Sequence, residues 1–502
     1  DATSLETYIR KISSQDVNVH QYEIVNSPVP AEQSNLFVNP SVAIENAALK
    51  ETFRTFIKRY GPFDAIHFNN IEGLSLNVME LKQDYPDTRF IFSIHNYVPM
   101  CVHGFYYMRH KHCNCNPNHT GEDCMQCTRM NMRRNIADAT YDRGLFNNDP
   151  KKCYSKAKWV KTFGMEQLDV ETDAEHILDF SKAAIRQINQ NCDEILAVSK
   201  RVYEIAEDNG FDASKMKVSY IGTKVAAHQL GHAAYPVKNG LKIVFLGNDI
   251  NYEEKGYPFL IEALSKLELK YAAKIDLVFT VRQKEHADLY TMLNKFHSVK
   301  VYVGYTHNDL PRIFKGCNLS LVPVLWEDNL PQIAIESVAY GIPVLASSAG
   351  GPSELTDSAL FRFQAGDAED LLAKIRHFAD HPEDLDEYWK HHHGLVTMEQ
   401  HWAEIQKVYG LDQKQDSVEI PMEDFRNLLK ENDFLLTYMP SNGNGNRIPQ
   451  QKVISDLEKK LQAANERNEE LETELNELEK NKKYAGKVIF KSEYDPIQGD
   501  AG

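Results

Sequence analysis

The second half of the chain alternates short β-rich runs with helical stretches, and this alternation constrains the fold more than any other feature. "KIVFLGN", "IDLVFTV", "VKVYVG", "NLSLVP", "IPVLAS" and "ALFRF" are strand candidates, separated by stretches such as "YPFLIEALSKL" and "DLPRIFKGC". Strands that alternate with helices join through right-handed crossovers into a parallel sheet. The first half shows the same pattern less regularly, in "VNVHQYEIV", "FDAIHFN", "RFIFSIH", "DEILAVS" and "KVSYI". Two α/β domains facing a cleft follow, over residues 1–225 and 226–410, with an insertion at about 100–190 in the first. In open sheets of this kind, ligands bind outside the carboxyl ends of the strands. Periodicity lapses at "GTKVAAHQLGHAAYPVKNG", the expected interdomain linker.

Residues 326–355, "WEDNLPQIAIESVAYGIPVLASSAGGPSEL", concentrate the chemistry. Asn329 is expected to cap a helix whose first turn holds Pro331. Ile333, Ile335, Val338 and Ala339 give that helix a buried face, and Gly341 ends it before the strand "IPVLAS". Asp328 and Glu336 are then carboxylates on a mostly buried element, where a charge needs a partner or a ligand. Composition narrows what that ligand is. A formal net charge of −16 leaves no general basic surface for nucleic acid or anionic lipid.

This stretch resembles the signature of the retaining glycosyltransferases of family 4, which have the GT-B fold of two Rossmann-like domains facing a cleft. The resemblance rests on Asp328, seven residues, Glu336, then "YGIPVLASSAGG", and on the order of "FDAIHFNN", "RFIFSIHNY", "DEILAVSK", "FLGNDINYEEKGYPFLIEAL" and "VYVGYTHNDLPRIFKGC". It implies a hexosyltransferase that uses a nucleotide-diphosphate sugar, a UDP- or GDP-sugar, and a glycan acceptor, with no catalytic metal. It assigns Glu336 to the donor ribose. The backbone around Asn329, Leu330 and Pro331, with Gly247 and Asn248 after the "FLG" strand, goes to the phosphates and hexose. Lys255 is assigned to the leaving diphosphate, Asp328 to the sugar, and His95 to the hexose from across the cleft. Asn248 stands where the family usually has an arginine, so a phosphate clamp is missing there unless another cation such as Arg282 replaces it. A catalytically weak glycosyltransferase-like subunit is therefore the alternative reading. The family also implies a first strand and Gly-rich turn ahead of "TSLETYIRKI", here an expected helix; neither is in the sequence.

Four of the eight cysteines crowd into "HCNCNPNHTGEDCMQC". Cys124 and Cys127 have the spacing that lets two thiolates meet one zinc, with Cys113 or Cys115, and Cys101, as further ligands. Related glycosyltransferases carry a similar run, which implies a structural role; disulfides are the alternative. The run His391–His393 reads as an exposed helix face. No apolar run reaches the roughly 18–20 residues that cross a bilayer, so no transmembrane segment is expected. "DATSLETYIRKISSQD" lacks the layout of a signal peptide. Residence is expected to be cytoplasmic, with room for a peripheral position at a membrane face.

Residues 411–450 read as a helical extension and linker, and 451–485 as a coiled coil. Ile454, Leu457, Leu461, Ala464, Asn468, Leu471, Leu475 and Leu478 fall alternately three and four apart, the a/d pattern of a two-stranded coiled coil. A single solvated helix is the alternative. A coiled coil here makes the chain a homodimer, and Asn468 at an a position holds its register. Light scattering should then find a dimer that becomes a monomer when everything after Pro449 is deleted. A native chain that is monomeric at micromolar concentration refutes it.

Overall fold

The computed structural model describes residues 6–12, 20–29, 40–101, 104–128, 130, 174, 176–228, 240–247, 253–281 and 293–411. Contacts divide the chain into residues 1–414 and 415–502, and the expected coiled coil and its linker lie outside the described residues.

The first strands are β1 (Tyr8–Ile12) and β2 (Gln21–Val25), an antiparallel pair in which Tyr8 faces Val25. The helix expected from "TSLETYIRKI" is thus partly a strand. Its aromatic and β-branched residues find a partner strand, and pairing overrides weak local helix preference. Next come β3 (Ala65–Phe68) and β4 (Arg89–Ile94), the short hairpin β5 (Tyr107–Met108) and β6 (Cys113–Asn114), then β7 (Glu194–Ala197) and β8 (Met216–Val218). Strands β3, β4, β7 and β8 form a parallel sheet in that order. Phe90, Ile91, Phe92 and Ile94 are buried along β4, the near-continuous apolar run of a strand covered on both faces.

The second sheet holds β9 (Leu241–Leu246), β10 (Ile275–Val281), β11 (Ser298–Val303), β12 (Leu319–Val322), β13 (Val344–Ser347) and β14 (Arg362–Phe363). All pairings are parallel, in the order β11-β10-β9-β12-β13-β14. The order reverses between β9 and β12. There the crossovers leave toward opposite faces, and the strand ends open into a crevice. The segments leaving those two strands therefore line the natural ligand site. Gly247 follows β9, and residues 323–331 follow β12.

The last described helix, Met398–Val408, returns to the first sheet, where Ile405 and Val408 pack against Ile91 and Leu196. Burying two such side chains contributes about 1.5–3 kcal/mol each. Just before it, His391–His393 do not form the expected helix face. The helix Glu387–Lys390 ends at His391, and His392 bridges to Thr356 in an antiparallel β-bridge. At the other end, Tyr409 Oη lies 2.8 Å from His67 Nδ1, while His67 Nε2 is 2.6 Å from Ser93 Oγ.

Desolvation, then repulsion from His95 and His401, lowers the pKa of His67 from 6.5 to about 4. The unfolded chain takes up this proton near pH 6.5 and the folded chain only near 4. The contribution to stability is therefore complete above pH 6.5 and lost as pH falls toward 4. His67→Gln removes this penalty. Any advantage in melting temperature of the native chain over the variant should shrink between pH 7 and 5; a pH-independent difference refutes the neutral buried imidazole.

Candidate active site

The segment between β12 and the helix Gln332–Ala339 places three polar side chains in succession, all buried: Glu327, Asp328 and Asn329. Its shape depends on the glycine pair. Gly350, at φ 72°, lies so close that an added Cβ would sit 2.2 Å from the Asp328 carbonyl oxygen; at Gly351 it would meet the Asn329 carbonyl oxygen at 2.1 Å. The Gly351 N–H donates to the Asp328 carbonyl at 2.7 Å. Only residues without a Cβ let the two backbones approach this closely.

Asp328 faces Lys255, with Oδ2 3.5 Å from Nζ. Burial raises the carboxyl pKa and Lys255 works against that shift. The ammonium also stands over the Trp326 ring, 4.6 Å from its centroid. Lys255 ends a single helical turn, Glu253–Lys255, between β9 and the helix Tyr257–Lys266. The two sides of the crevice thus deliver one cation and one carboxylate to the same place.

Asn329 does not cap the helix as expected. Pro331 occupies the cap position without a side-chain hydrogen bond, and both polar atoms of the Asn329 side chain are buried with no partner. Leu330 is buried beside it. A buried amide with neither group satisfied costs of order 1–3 kcal/mol per lost partner, so a polar ligand would be favoured here. Tyr97, from the first half, presents a buried hydroxyl without a partner. Glu336 lies one turn into the helix, 3% exposed, with its Oε1 3.0 Å from His307 Nε2. Burial raises its pKa and His307 opposes the rise. Across the cleft, His95 follows β4 and is exposed, with Nε2 3.1 Å from Asn69 Oδ1; desolvation by its surroundings and His401 lower its pKa. Gly247 accepts a hydrogen bond from Thr280 at its carbonyl, while Asn248 and Arg282 lie outside the described residues.

Several structural partners are not evident from the sequence. Glu327 takes a two-pronged bond from Arg201, with Nε to Oε2 at 3.0 Å and Nη2 to Oε1 at 2.8 Å, and accepts the Gly350 N–H at 2.9 Å. Glu354 accepts the Lys200 and Arg201 N–H groups at the start of the helix Lys200–Asp208, and the Tyr220 hydroxyl. A carboxylate at a helix N-terminus is favoured by the aligned peptide dipoles. The run of acidic residues in "WEDN" was a signal that one carboxylate serves structure, but it could not say which.

The cysteines give a different picture from the expected metal ligands. Cys101, Cys115, Cys124 and Cys127 line one small cavity with His119 and Asp123, whereas Cys113 is exposed on β6. Among the described residues, no three His, Cys, Asp or Glu side chains are arranged to hold a metal ion, and no disulfide joins the described cysteines. The sulfurs of the four sit around this cavity, the Cys101 sulfur accepting the Tyr106 N–H at 3.2 Å. Burial, then repulsion from Cys101, pushes the Cys127 thiol up to about 12 and raises Cys115 and Cys124 further.

The switch point of the second parallel sheet thus gathers a cation, two buried carboxylates and a helix start without a side-chain cap. Residues 240–381, which contain that half of the site, match the family described as Glycosyl transferases group 1. An uncharacterised glycosyltransferase of Methanocaldococcus jannaschii is 30% identical over 115 residues, 22% of this chain and 28% of that protein, so the chain spans little more than a quarter of that relative. Among solved structures, HepE of Anabaena in complex with UDP is 15% identical, covering 76% of this chain and 82% of that one at a TM-score of 0.42. Sucrose-phosphate synthase of Thermosynechococcus elongatus is 16% identical, with 75% and 78% covered and a TM-score of 0.44. Among the described residues, no helix is long and apolar enough to cross a membrane.

Thiolate is the reactive form, so burial and a raised pKa slow alkylation. In the native chain iodoacetamide should modify Cys113 first and leave Cys101, Cys124 and Cys127 until unfolding. Simultaneous labelling of all four by mass spectrometry refutes the buried cluster.

Proposed function

We propose that the chain is a retaining glycosyltransferase that moves a hexose from a nucleotide-diphosphate sugar to a glycan acceptor. The observation that carries this reading is the buried pair Asp328 and Glu336 at the switch point, with the Lys255 ammonium 3.5 Å from Asp328. The Glycosyl transferases group 1 match over the same residues supports it. Glu336 accepts the ribose hydroxyls, displacing the His307 contact. The helix start at Pro331–Gln332 and Lys255 face the diphosphate, where negative charge grows as the anomeric bond breaks. Asp328 and the unsatisfied Asn329 amide hold hexose hydroxyls, and His95 reaches the sugar from the first half. The anomeric C–O bond to the diphosphate breaks and the acceptor hydroxyl oxygen bonds to the same face of that carbon. Its proton passes to a diphosphate oxygen. Asn69, Asn70 and Glu72 mark the acceptor side. The enzyme is cytoplasmic, peripheral at a membrane face when its acceptor requires it, and dimerises through residues 451–485.

A second reading is favoured by Asn248, where an arginine clamp is expected: a catalytically weak subunit that assembles through its coiled coil. One experiment separates the two. Thermal melting with UDP-glucose, GDP-mannose and ADP-glucose should show stabilisation by one of them, since a ligand at 100 times its Kd adds about 2.7 kcal/mol. Glu336→Ala should abolish that shift without changing the melting of the free protein by more than a few degrees. Lys255→Ala should retain donor binding but lower transfer on the order of 100-fold, as for a lost transition-state contact. No shift with any donor supports the weak subunit, and normal transfer by Lys255→Ala removes that lysine from the chemistry.

A further inference from the structure

We propose that Arg109 is a positioning residue for Lys255, reaching from the cysteine-bearing insertion of the first half to set the turn that carries the lysine. The inference rests on the reading of Lys255 given above and extends it to a residue outside the crevice. Glu254, the residue before Lys255, is fully buried at 0% exposure. A buried carboxylate is tolerated only with a partner. That partner is Arg109, whose Nη2 lies 2.5 Å from Oε1 at 9% exposure, while the other carboxylate oxygen is buried with none.

The same hairpin holds the neighbouring carboxylate. Glu253 accepts from Tyr107 Oη at 3.3 Å and pairs with His112 Nδ1. Both residues ahead of Lys255 are therefore tied to the turn joining β5 and β6. Behind Lys255, Gly256 takes φ 76°, and a Cβ there would lie 1.8 Å from the Pro323 carbonyl oxygen. The Glu254 carbonyl accepts the Leu325 N–H at 2.9 Å. The turn is thus gripped by the hairpin on one side and by the segment leading to Asp328 on the other.

A second line of contacts joins the same two cations. The Arg109 guanidinium stands 5.6 Å from the Phe105 ring centroid, Phe105 meets Trp326 edge-on at 4.8 Å, and Trp326 lies under the Lys255 ammonium at 4.6 Å. Carboxylate and aromatic routes converge on one ammonium. The contacts described for Arg109 are with Glu254 and Phe105. Its effect on the reaction runs through the placement of Lys255, so it belongs to the chemical step more than to donor affinity.

The test uses the full chain and whichever of UDP-glucose, GDP-mannose and ADP-glucose stabilises it most. In Arg109→Gln, amide hydrogen exchange over residues 253–256 should quicken about tenfold or more, and kcat for transfer should fall about tenfold or more with KM changed less than about threefold. Arg109→Lys keeps the ion pair and should recover most of the rate. In a Lys255→Ala background, Arg109→Gln should lower transfer no further, because both changes act through the same ammonium. If Arg109→Gln fails to fold, Glu254→Gln is the milder variant, with the same faster exchange and lower kcat expected. Unchanged exchange at 253–256, or losses that multiply in the double variant as a merely structural role predicts, overturns the inference. If Lys255→Ala alone leaves transfer normal, the reading of Lys255 fails instead, while the exchange measurement still decides whether Arg109 holds the turn.

Discussion

Glu327, Asp328 and Asn329 stand side by side in a buried segment, and the cost of burying them organises much of what surrounds it. Two carboxylates in low dielectric need cations or hydrogen-bond donors close by. The answers come from different directions. Arg201, on the first half, holds Glu327 with two bonds; Lys255, from the turn after β9, faces Asp328. The glycine pair 350–351 brings backbone N–H groups against Glu327 and the Asp328 carbonyl. Asn329 alone is left without partners, beside a helix start with no side-chain cap.

Several connections among the described residues tie the two parallel sheets around this segment. Arg201 meets Glu327, the first turn of the helix Lys200–Asp208 meets Glu354, and the hairpin β5–β6 meets the turn before Lys255 through Arg109 and Glu254. The final helix crosses back and buries Ile405 and Val408 on the first sheet. These connections use charge or apolar surface. A buried ion pair adds little net stability, but breaking one partner leaves an unpaired charge. Such contacts therefore define relative geometry better than they raise stability.

Within the second half, local patterns were enough to find the elements. Every strand candidate from "KIVFLGN" to "ALFRF" corresponds to a strand, and "QIAIESVA" is the helix that carries Glu336. Buried strands and amphipathic helices repeat their apolar residues at periods visible over a few positions, so the sequence displays them. The failures are equally physical. Tyr8–Ile12 became a strand because a partner was available, and His391–His393 left the helix because Gly394 and a bridge to Thr356 follow. Asn329 is a good cap by residue type, yet the helix begins later and its amide stays unpaired. The cysteine spacing indicated that thiols would gather; it did not say that Cys113 would face outward or that no metal-holding arrangement would form among the described residues.

By itself, the sequence determined the α/β character, the parallel second sheet and the placement of Asp328 and Glu336 near a helix start, because each depends on residues within a few turns of one another. Only the tertiary structure decided which carboxylates serve the fold and which face the crevice. Arg201 and Glu327 are 126 residues apart, and Arg109 and Glu254 are 145 apart. No local periodicity links such partners. Their pairing follows from how the crossovers and the hairpin β5–β6 meet the second sheet, and only there does Glu327 become structural while Asp328, the next residue, faces the Lys255 ammonium.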